Sequence, residues 1–552
     1  MARSNVIRLC ISLAAIPVLF ALGALTIPDA HAQSRKAPRS TPLAPGRAVL
    51  TATMPVSVSA ALAMEMGLSA EPVRDPSIAV GPDGTAHFAW WSPTNLLWNP
   101  CDGPNTPSNP GNAVFYAYIE PSANKPMVSG PVANRSRPRL SVGLDNTLFM
   151  AWQKCNTNTM QYHPAFDWAP ARSWREIQYL APFTFTTGYE DVNPLDRLNS
   201  QRYVDGTDAP FPFIAQENGQ SRLHLIWGRS DTQAPDAAPA LYYARPVTDD
   251  KPITDPRTPD PRLETTTISI ADYAGQSPSM AVFENNGNME AHVVWQAQVA
   301  PDCDMSEIEW GYAPNLPPTL TTAEPGTLPP TWEMARAISM NGESKRAAKG
   351  PSSCGSVTRT ALHPATATGP DATLYAVWAE WAGENPDYEI MAAHLMRDSA
   401  GIFWSEPVTV TMASRSMTLA AATAVDKRGR QYVLWNEGLD KIELKAMDAN
   451  EKWATTPIQL NRGADCEGTP SASGQKVGDV GLAYDPVQDR LHAIWLARTA
   501  TANLPNRLCY ASVDVKPDVK PTYQVYLPLV SRAATPPVSA AKVSGIRPLA
   551  RP

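Results

Sequence analysis

The chain lacks most of the short motifs by which an enzyme is identified from sequence. Its 552 residues contain no His-Glu-x-x-His zinc-protease motif, no Gly-x-Ser-x-Gly nucleophile elbow and no phosphate-binding P-loop. No two cysteines form a Cys-x-x-Cys pair, which argues against a structural zinc site. The sequence therefore predicts neither a metal ion nor a cofactor.

Charge is also scarce, and no basic block is present. Only 18% of the residues are charged, and the formal net charge of −7 is spread along the chain. Nucleic-acid-binding domains concentrate Lys and Arg on one face, so the composition argues against nucleic acid as a partner. Apolar residues make up 43% of the chain, enough to build a sizeable core.

Long apolar runs are absent after residue 32. Before it, Arg3 and Arg8 precede the apolar run 9–25, and the small-x-small motif Ala30-His31-Ala32 follows. This order is typical of a cleaved signal peptide, and a membrane anchor is the alternative. We expect residues 1–32 to direct export and residues 33–55 to form a flexible linker. The mature protein is then secreted or attached to the cell surface without a transmembrane helix.

What is abundant is proline, with 55 of 552 residues. Proline lacks a backbone donor and is rare inside helices and central strands. This content predicts many short strands and turns.

A sequence repeat that begins with proline and ends with tryptophan recurs along the chain. Residues 76–91 read PSIAVGPDGTAHFAWW, and residues 364–378 read PATATGPDATLYAVW. Each copy predicts two strands joined by a tight turn, and in most copies two further strands follow, such as those within 331–339 and 403–411. The copies end at Trp90, Trp152, Trp227, Trp295, Trp378, Trp435 and Trp495.

Four short antiparallel strands at this period are typical of a β-propeller blade. The sequence therefore predicts an all-β fold over residues 56–515, a β-propeller of seven four-stranded blades. The last copy has no convincing fourth strand, and residues 56–64 are expected to supply it and close the ring. A pair of β-sandwiches is the competing architecture.

The copies such as 76–90, followed by strands such as Trp404-Ser405-Glu406-Pro407, resemble the sialidase-like (BNR-repeat) propellers over residues 70–515. The resemblance implies Asp-boxes of the form Ser-x-Asp-x-Gly-x-Thr-Trp, of which only the relic 399–404 is found. It also implies, for catalytic members, three arginines on the substrate carboxylate, a tyrosine activated by a glutamate, and an acid aspartate. Arg74 and Arg139 are the nearest arginine candidates, and neither stands in the family's motif, which argues against sialidase activity.

Ligand-binding residues are predicted on the rim of the propeller that carries the long insertions. Carboxylates beside tryptophan suit sugars, whose rings stack on aromatic faces while their hydroxyls donate to acids. A solvated acidic rim is the alternative. The predicted ligand-binding residues are Glu190, Asp191, Arg202, Glu380, Trp381, Glu384, Asn436 and Glu437.

Six cysteines remain after the predicted signal peptide, and an even number in an exported chain favours disulfides. Their places along the repeats predict the sequential pairs Cys101–Cys155, Cys303–Cys354 and Cys466–Cys509.

Histidine recurs three residues before the closing tryptophan, at His87, His224, His292 and His492. Phe or Tyr stands there in the other copies, so packing is favoured over metal coordination. A calcium site at Asp302-x-Asp304-x-Ser306 is a weaker alternative, because the glycine turn and downstream acid of a calcium loop are missing.

The composition changes at residue 516. Residues 521–532 form a short apolar island, and the Pro/Ala-rich end up to residue 552 is expected to be disordered. The Tyr526–Val530 element resembles one near the ends of some bacterial exported proteins, which implies surface association or sorting; an extra edge strand is the alternative.

The features of the whole sequence together predict a non-catalytic propeller that recognises an extracellular glycan or protein. A divergent glycoside hydrolase is the alternative, and a structural surface component is a third hypothesis.

Overall fold

The structure is a computed structural model, and all the residues that it describes belong to one compact unit, residues 45–552. The described residues are 48–53, 55–59, 73–94, 111–123, 126–128, 132–133, 135–156, 161–169, 211–217, 220–229, 240–247, 262–268, 275–285, 288–298, 306–316, 332–339, 360–381, 388–398, 401–411, 420–437, 441–447, 452–454, 456–461, 475–499 and 507–517.

These residues form β-strands of two to eleven residues. In chain order the strands are β1 (Ala48–Ala52), β2 (Val56–Ser57), β3 (Arg74–Val80), β4 (Ala86–Thr94), β5 (Gly111–Ile119), β6 (Met127–Val128), β7 (Val132–Ala133), β8 (Arg135–Val142), β9 (Leu148–Asn156), β10 (Gln161–Ala169), β11 (Phe211–Glu217), β12 (Gln220–Arg229), β13 (Ala240–Val247), β14 (Arg262–Ile268), β15 (Gly275–Asn285), β16 (Asn288–Gln298), β17 (Ser306–Leu316), β18 (Glu333–Ala337), β19 (Thr360–Thr368), β20 (Leu374–Trp381), β21 (Tyr388–Asp398), β22 (Gly401–Trp404), β23 (Val408–Thr409), β24 (Ala421–Val425), β25 (Gln431–Glu437), β26 (Lys441–Ala446), β27 (Ile458–Gln459), β28 (Gln475–Asp485), β29 (Arg490–Thr499) and β30 (Arg507–Pro517).

The strands of the described part pair into antiparallel sheets, one for each copy of the repeat. Five sheets are complete meanders of consecutive strands: β3 to β7, β11 to β14, β15 to β18, β19 to β23, and β24 to β27. In two of them the fourth position is shared by two short strands, β6 with β7 and β22 with β23. The prediction of seven equal four-stranded blades is thus met in full by five sheets only.

The two remaining sheets depart from the pattern. One contains β8, β9 and β10 among the described residues. The other sheet joins the first strand of the described chain to the last three. Its order is β28, β29, β30 and β1, and β1 pairs with β30 from Ala48↔Pro517 to Ala52↔Val513. The expected closure by an upstream segment is present at β2 as well, where Val56 pairs with Tyr510. β1 lies inside the predicted linker 33–55, so the sheet begins further upstream than expected.

Neighbouring sheets contact one another mainly through their first strands. These contacts run from β3 to β8, β11, β15, β19, β24 and β28, and then back to β3. The first strand is therefore the innermost of each sheet, and the described residues build an all-β propeller.

The core lies between adjacent sheets. All seven closing tryptophans are buried, and the most exposed of them, Trp227, is only 4% accessible. Trp378 packs with Ile308 and Trp310 of the preceding sheet, for example. The tryptophan that ends each repeat thus fills the space between two blades, because burial of a large aromatic side chain is strongly favourable.

The turn that follows the first strand has the same backbone hydrogen bond in four sheets, after β3, β8, β19 and β24. In the first copy Gly81 N–H donates to the Thr85 carbonyl (2.8 Å), and Asp83 Oδ1 accepts from Thr85 N–H (3.1 Å). The last turn residue has a positive φ, 81° at Gly84 and 63° at Asn146. Glycine and asparagine tolerate this conformation, which explains their place in the repeat. We call the end of the propeller with these turns the short-turn rim, and the end where first strands begin the loop rim.

Among the described residues no helix is long and apolar enough to cross a membrane.

Candidate binding site at the start of the innermost strands

Four first strands contain a β-bulge opposite the closing tryptophan. In β3 the register slips between Arg74, which pairs with Trp91, and Ser77, which pairs with Ala89. The residue before proline in each bulge has a positive φ, between 43° and 53°. A left-handed conformation costs an ordinary residue about 1–2 kcal/mol, and bulges of this kind re-aim side chains next to functional sites. The four residues are Asp75, Arg137, Ser277 and His363.

The bulges of the first two sheets bring charged groups together with an indole. Trp91 Nε1 donates to Asp75 Oδ2 at 2.6 Å, and Arg137 Nε lies 3.9 Å from the same oxygen. The guanidinium carbon of Arg74 lies 5.1 Å from the centre of the Trp91 ring. We call Arg74, Asp75, Trp91 and Arg137 the axial cluster.

The axial cluster is open to solvent and near the axis. The Asp75 side chain is 33% exposed and the Arg137 side chain 44%. Both residues stand at the beginning of innermost strands, so the cluster lies on the loop rim. A carboxylate accepts hydrogen bonds from hydroxyls, guanidinium groups donate in pairs, and an indole offers an apolar face. This combination suits a hydroxyl-rich ligand.

Hydrogen bonds between sheets hold the bulges in place. Ser77 Oγ accepts from Leu140 N–H of the next sheet at 3.0 Å, and Ser279 Oγ lies 2.7 Å from Thr366 Oγ1. His363 N–H donates to Gln296 Oε1 of the preceding sheet at 3.2 Å. The strained backbone is therefore fixed by partners on both sides.

Glu380 and Trp381 lie at the end of β20, where the second strand reaches the loop rim. Glu380 is 1% exposed, and its Oε2 accepts from Trp378 Nε1 at 2.8 Å. Directly opposite on β21 stands Glu389, and Trp381 pairs with Tyr388. Two carboxylates therefore share one end of this sheet.

Asn436 and Glu437 occupy the corresponding end of β25. Asn436 is 5% exposed, and its Oδ1 accepts from Ala420 N–H at 3.0 Å. Glu437 Oε2 accepts from Trp435 Nε1 at 2.9 Å, which repeats the bond between Glu380 and Trp378. Both side chains bond to their own sheet, and their ligand-binding role stays a prediction. Glu190, Asp191, Arg202 and Glu384 lie outside the described residues.

The recurring histidines are buried and bond to third-strand aromatic residues. Nδ1 of His87 lies 2.7 Å from Tyr116 Oη, and the same contact joins His224 to Tyr243 at 2.7 Å and His492 to Tyr510 at 2.9 Å. Burial lowers the pKa of His87 to about 3. Within the described part of the chain, no group of three or more His, Cys, Asp or Glu side chains could hold a metal ion. Asp302 and Asp304, the acidic residues of the weaker calcium alternative, lie outside that part.

The fourth aromatic pair belongs to a charged contact between two sheets. His292 Nδ1 accepts from Trp310 Nε1 at 3.2 Å, and its Nε2 lies 3.2 Å from Glu290 Oε2. Arg397 of the next sheet forms a bidentate ion pair with Glu290. Burial raises the pKa of Glu290, but bonds from His292, Arg397 and Asn285 outweigh it and lower the pKa to about 2. This cluster joins two blades near the short-turn rim.

Sequence reasoning missed Asp75, Trp91 and Arg137. The signal lies in the dipeptides Asp75-Pro76, Arg137-Pro138, Ser277-Pro278 and His363-Pro364, which open four copies of the repeat. A residue before proline normally adopts an extended conformation, so the bulge is not evident from the dipeptide alone.

The sheets define the class of the protein: a β-propeller with a polar, strained cluster at the axial end of its loop rim. No protein-family model and no curated protein matches the chain. Among solved structures, a protein of unknown function from Dyadobacter fermentans superposes with a TM-score of 0.39 and 9% identity, over 85% of this chain and 99% of that one.

Two further solved structures that match the chain are complexes with a bound ligand. The intramolecular trans-sialidase of Ruminococcus gnavus, in complex with oseltamivir carboxylate, matches with a TM-score of 0.35 and 11% identity, over 80% of this chain and 94% of that one. A lectin of Aleuria aurantia in complex with a fucosylated sugar matches with a TM-score of 0.32 and 8% identity, over 72% and 97%. With TM-scores below 0.5, these matches carry no argument about ligand or activity.

Proposed function

We propose that this protein is an exported or surface-associated propeller that binds a glycan through the loop rim without catalysis. The observation that carries the proposal is the axial cluster. In it Trp91 offers an aromatic face, Asp75 a hydrogen-bond acceptor and Arg137 several hydrogen-bond donors. Sugars present this mixture of apolar ring faces and hydroxyls. Trp381 and Glu437 of the same rim are further candidates for contact.

The proposal includes seven blades, since each copy of the repeat has its own sheet and neighbouring first strands contact in a cycle. Export through residues 1–32, the three cysteine pairs and the tail beginning at residue 516 belong to the same proposal. Disulfides of this kind persist in the oxidising compartments that exported proteins reach.

A glycoside hydrolase is the second candidate, favoured by Glu380 and Glu389. They are directly opposite in the antiparallel register, so their Cβ atoms are about 4.5–5.5 Å apart. Retaining glycosidases use two carboxyl groups about 5–5.5 Å apart. Against this candidate stands the burial of Glu380 and its bond to Trp378.

The test is binding of the oxidised full chain to a broad glycan array, followed by measurement of reducing sugar released from every hit. Saturable binding without release is the expected result. Release of reducing sugar that is lost in Glu380→Gln would establish the hydrolase instead. A chain that binds no glycan overturns the proposal in favour of a protein partner.

Variants locate the binding site. Trp91→Ala and Asp75→Asn should weaken binding roughly tenfold or more, because each removes a stacking or hydrogen-bonding group worth about 1–2 kcal/mol. Arg139→Ala is the matched control, since its guanidinium bonds to the Pro138 carbonyl (3.1 Å). Equal affinity of all three variants would place the site elsewhere on the rim.

A further inference from the structure

A cavity of about 370 Å³ lies on the axis at the short-turn rim. It is lined by the ends of first strands from five sheets, through Val80, Val142, Ala367, Ala424 and Leu482. A cavity on the order of 150 Å³ holds a benzene-sized molecule, so this one accommodates more than one aliphatic side chain. Its walls are apolar, in contrast to the axial cluster at the opposite rim.

The mouth of the cavity is an apolar surface exposed to solvent. Leu144, which lines the cavity, is 68% exposed, and Val487 in the turn after β28 is 60% exposed. Pro82 and Pro486 of neighbouring turns complete the lining. Large apolar side chains clustered around an opening mark a docking surface.

The chain leaves the propeller at this same rim. First and third strands of a meander run in the same direction, and β30 is the third strand of its sheet. β30 therefore ends, at Pro517, on the short-turn rim. It lies two strand spacings, roughly 10 Å, from the innermost strand.

The chain beyond Pro517 is long enough to reach the axis. Residues 518–525 span up to about 26 Å when extended. They lead to Tyr526-Leu527-Pro528-Leu529-Val530, four large apolar residues around a proline that lacks a backbone donor. These residues lie outside the described part of the chain, and no comparable apolar group follows them up to residue 552.

We propose that Tyr526–Val530 docks in the axial cavity of its own chain at the short-turn rim. Apolar walls meet an apolar segment, and a short tether gives an effective concentration of the order of millimolar. Docking with a dissociation constant well below millimolar is then largely saturated. The proposal is independent of what the loop rim binds.

Photo-crosslinking of the full chain tests the proposal. A benzophenone amino acid replaces Leu144, and crosslinked peptides are mapped by mass spectrometry. We expect crosslinks to residues 521–532 within one chain, at a yield that does not change with protein concentration. Met396, 40% exposed at the end of β21 on the same rim, carries the probe in the matched control and should give no such crosslink.

The variant Leu527→Ser/Leu529→Ser should lower the crosslinking yield at Leu144 roughly tenfold, because burial of a leucine is worth about 1.5–3 kcal/mol. The variant leaves the sequence of β1 to β30 unchanged, so it should still fold into the same sheets. Crosslinks that map elsewhere, equal yields from Leu144 and Met396, or a yield that rises with concentration would each overturn the proposal. The last result would show that the tail of a second copy occupies the cavity.

Discussion

At the scale of single residues, each recurring position of the sequence repeat, as seen in the copy at 76–90, has a separate structural role. Pro76 follows the bulge, Asp83 bonds the turn backbone, His87 is buried against Tyr116, and Trp90 fills the space to the next blade. The turn, the buried histidines and the tryptophans could be predicted, because each role depends on local chemistry or on residue size. The bulge could not, since it depends on how two strands register.

The buried histidine makes stability depend on pH. Burial lowers the pKa of His87 to about 3, and the charge of Asp83 opposes this shift only in part. The unfolded chain takes up the proton near pH 6.5, and the folded chain only near pH 3. The free energy of unfolding should therefore fall as pH drops from about 6.5 to 3. In His87→Phe this fall should be smaller, and in the reciprocal Phe149→His larger, as measured by urea unfolding at several pH values. Parallel profiles for all three chains would contradict the assignment.

At the scale of elements, the strands and their order follow from the repeat, whereas the fourth strands do not. Residues 403–411 were expected to form one strand, and they form β22 and β23, which both pair with β21. An outer strand has a neighbour on one side only, so a break in it costs few hydrogen bonds. The predicted rim residues Glu380 and Asn436 are likewise buried, because β20 extends three residues and β25 two residues beyond the closing tryptophan.

The turns predict a stabilising substitution. Ala372 has a φ of 61° at the position that Gly84 and Gly429 occupy in other copies. Relief of this strain in Ala372→Gly should raise the free energy of unfolding by up to about 1 kcal/mol, after the entropy that glycine adds to the unfolded chain. The control Ala367→Gly, in the strand β19, should lower it by roughly 0.5–1 kcal/mol. Thermal unfolding of both variants decides, and a loss of stability in Ala372→Gly would be inconsistent with strain at this turn.

At the scale of the whole molecule, the closed arrangement of sheets could be predicted because no blade of the repeat can bury both of its faces alone. The axial cluster could not be predicted. Asp75 and Arg137 belong to different copies of the repeat, and they meet only because two adjacent innermost strands bulge at the same height. Contacts of this kind depend on inter-sheet packing, which periodicity does not encode.

Closure of the ring depends on a strand that precedes the repeats. β1 pairs with five residues of β30, Leu50 packs against the core between the last two sheets, and Thr53 N–H donates to the Ser512 carbonyl at 2.8 Å. The free energy of unfolding should be roughly 3 kcal/mol lower for a chain that begins at residue 54 than for one that begins at residue 45. The shorter chain loses the burial of Leu50 and several backbone hydrogen bonds between β1 and β30. It also leaves residues 513–517 of β30 without the neighbouring strand β1, so it should associate at high concentration. Urea unfolding and light scattering of the two chains measure both effects. Identical midpoints and a monomeric shorter chain would mean that β2 alone, through Val56 and Ser57, is sufficient to close the propeller.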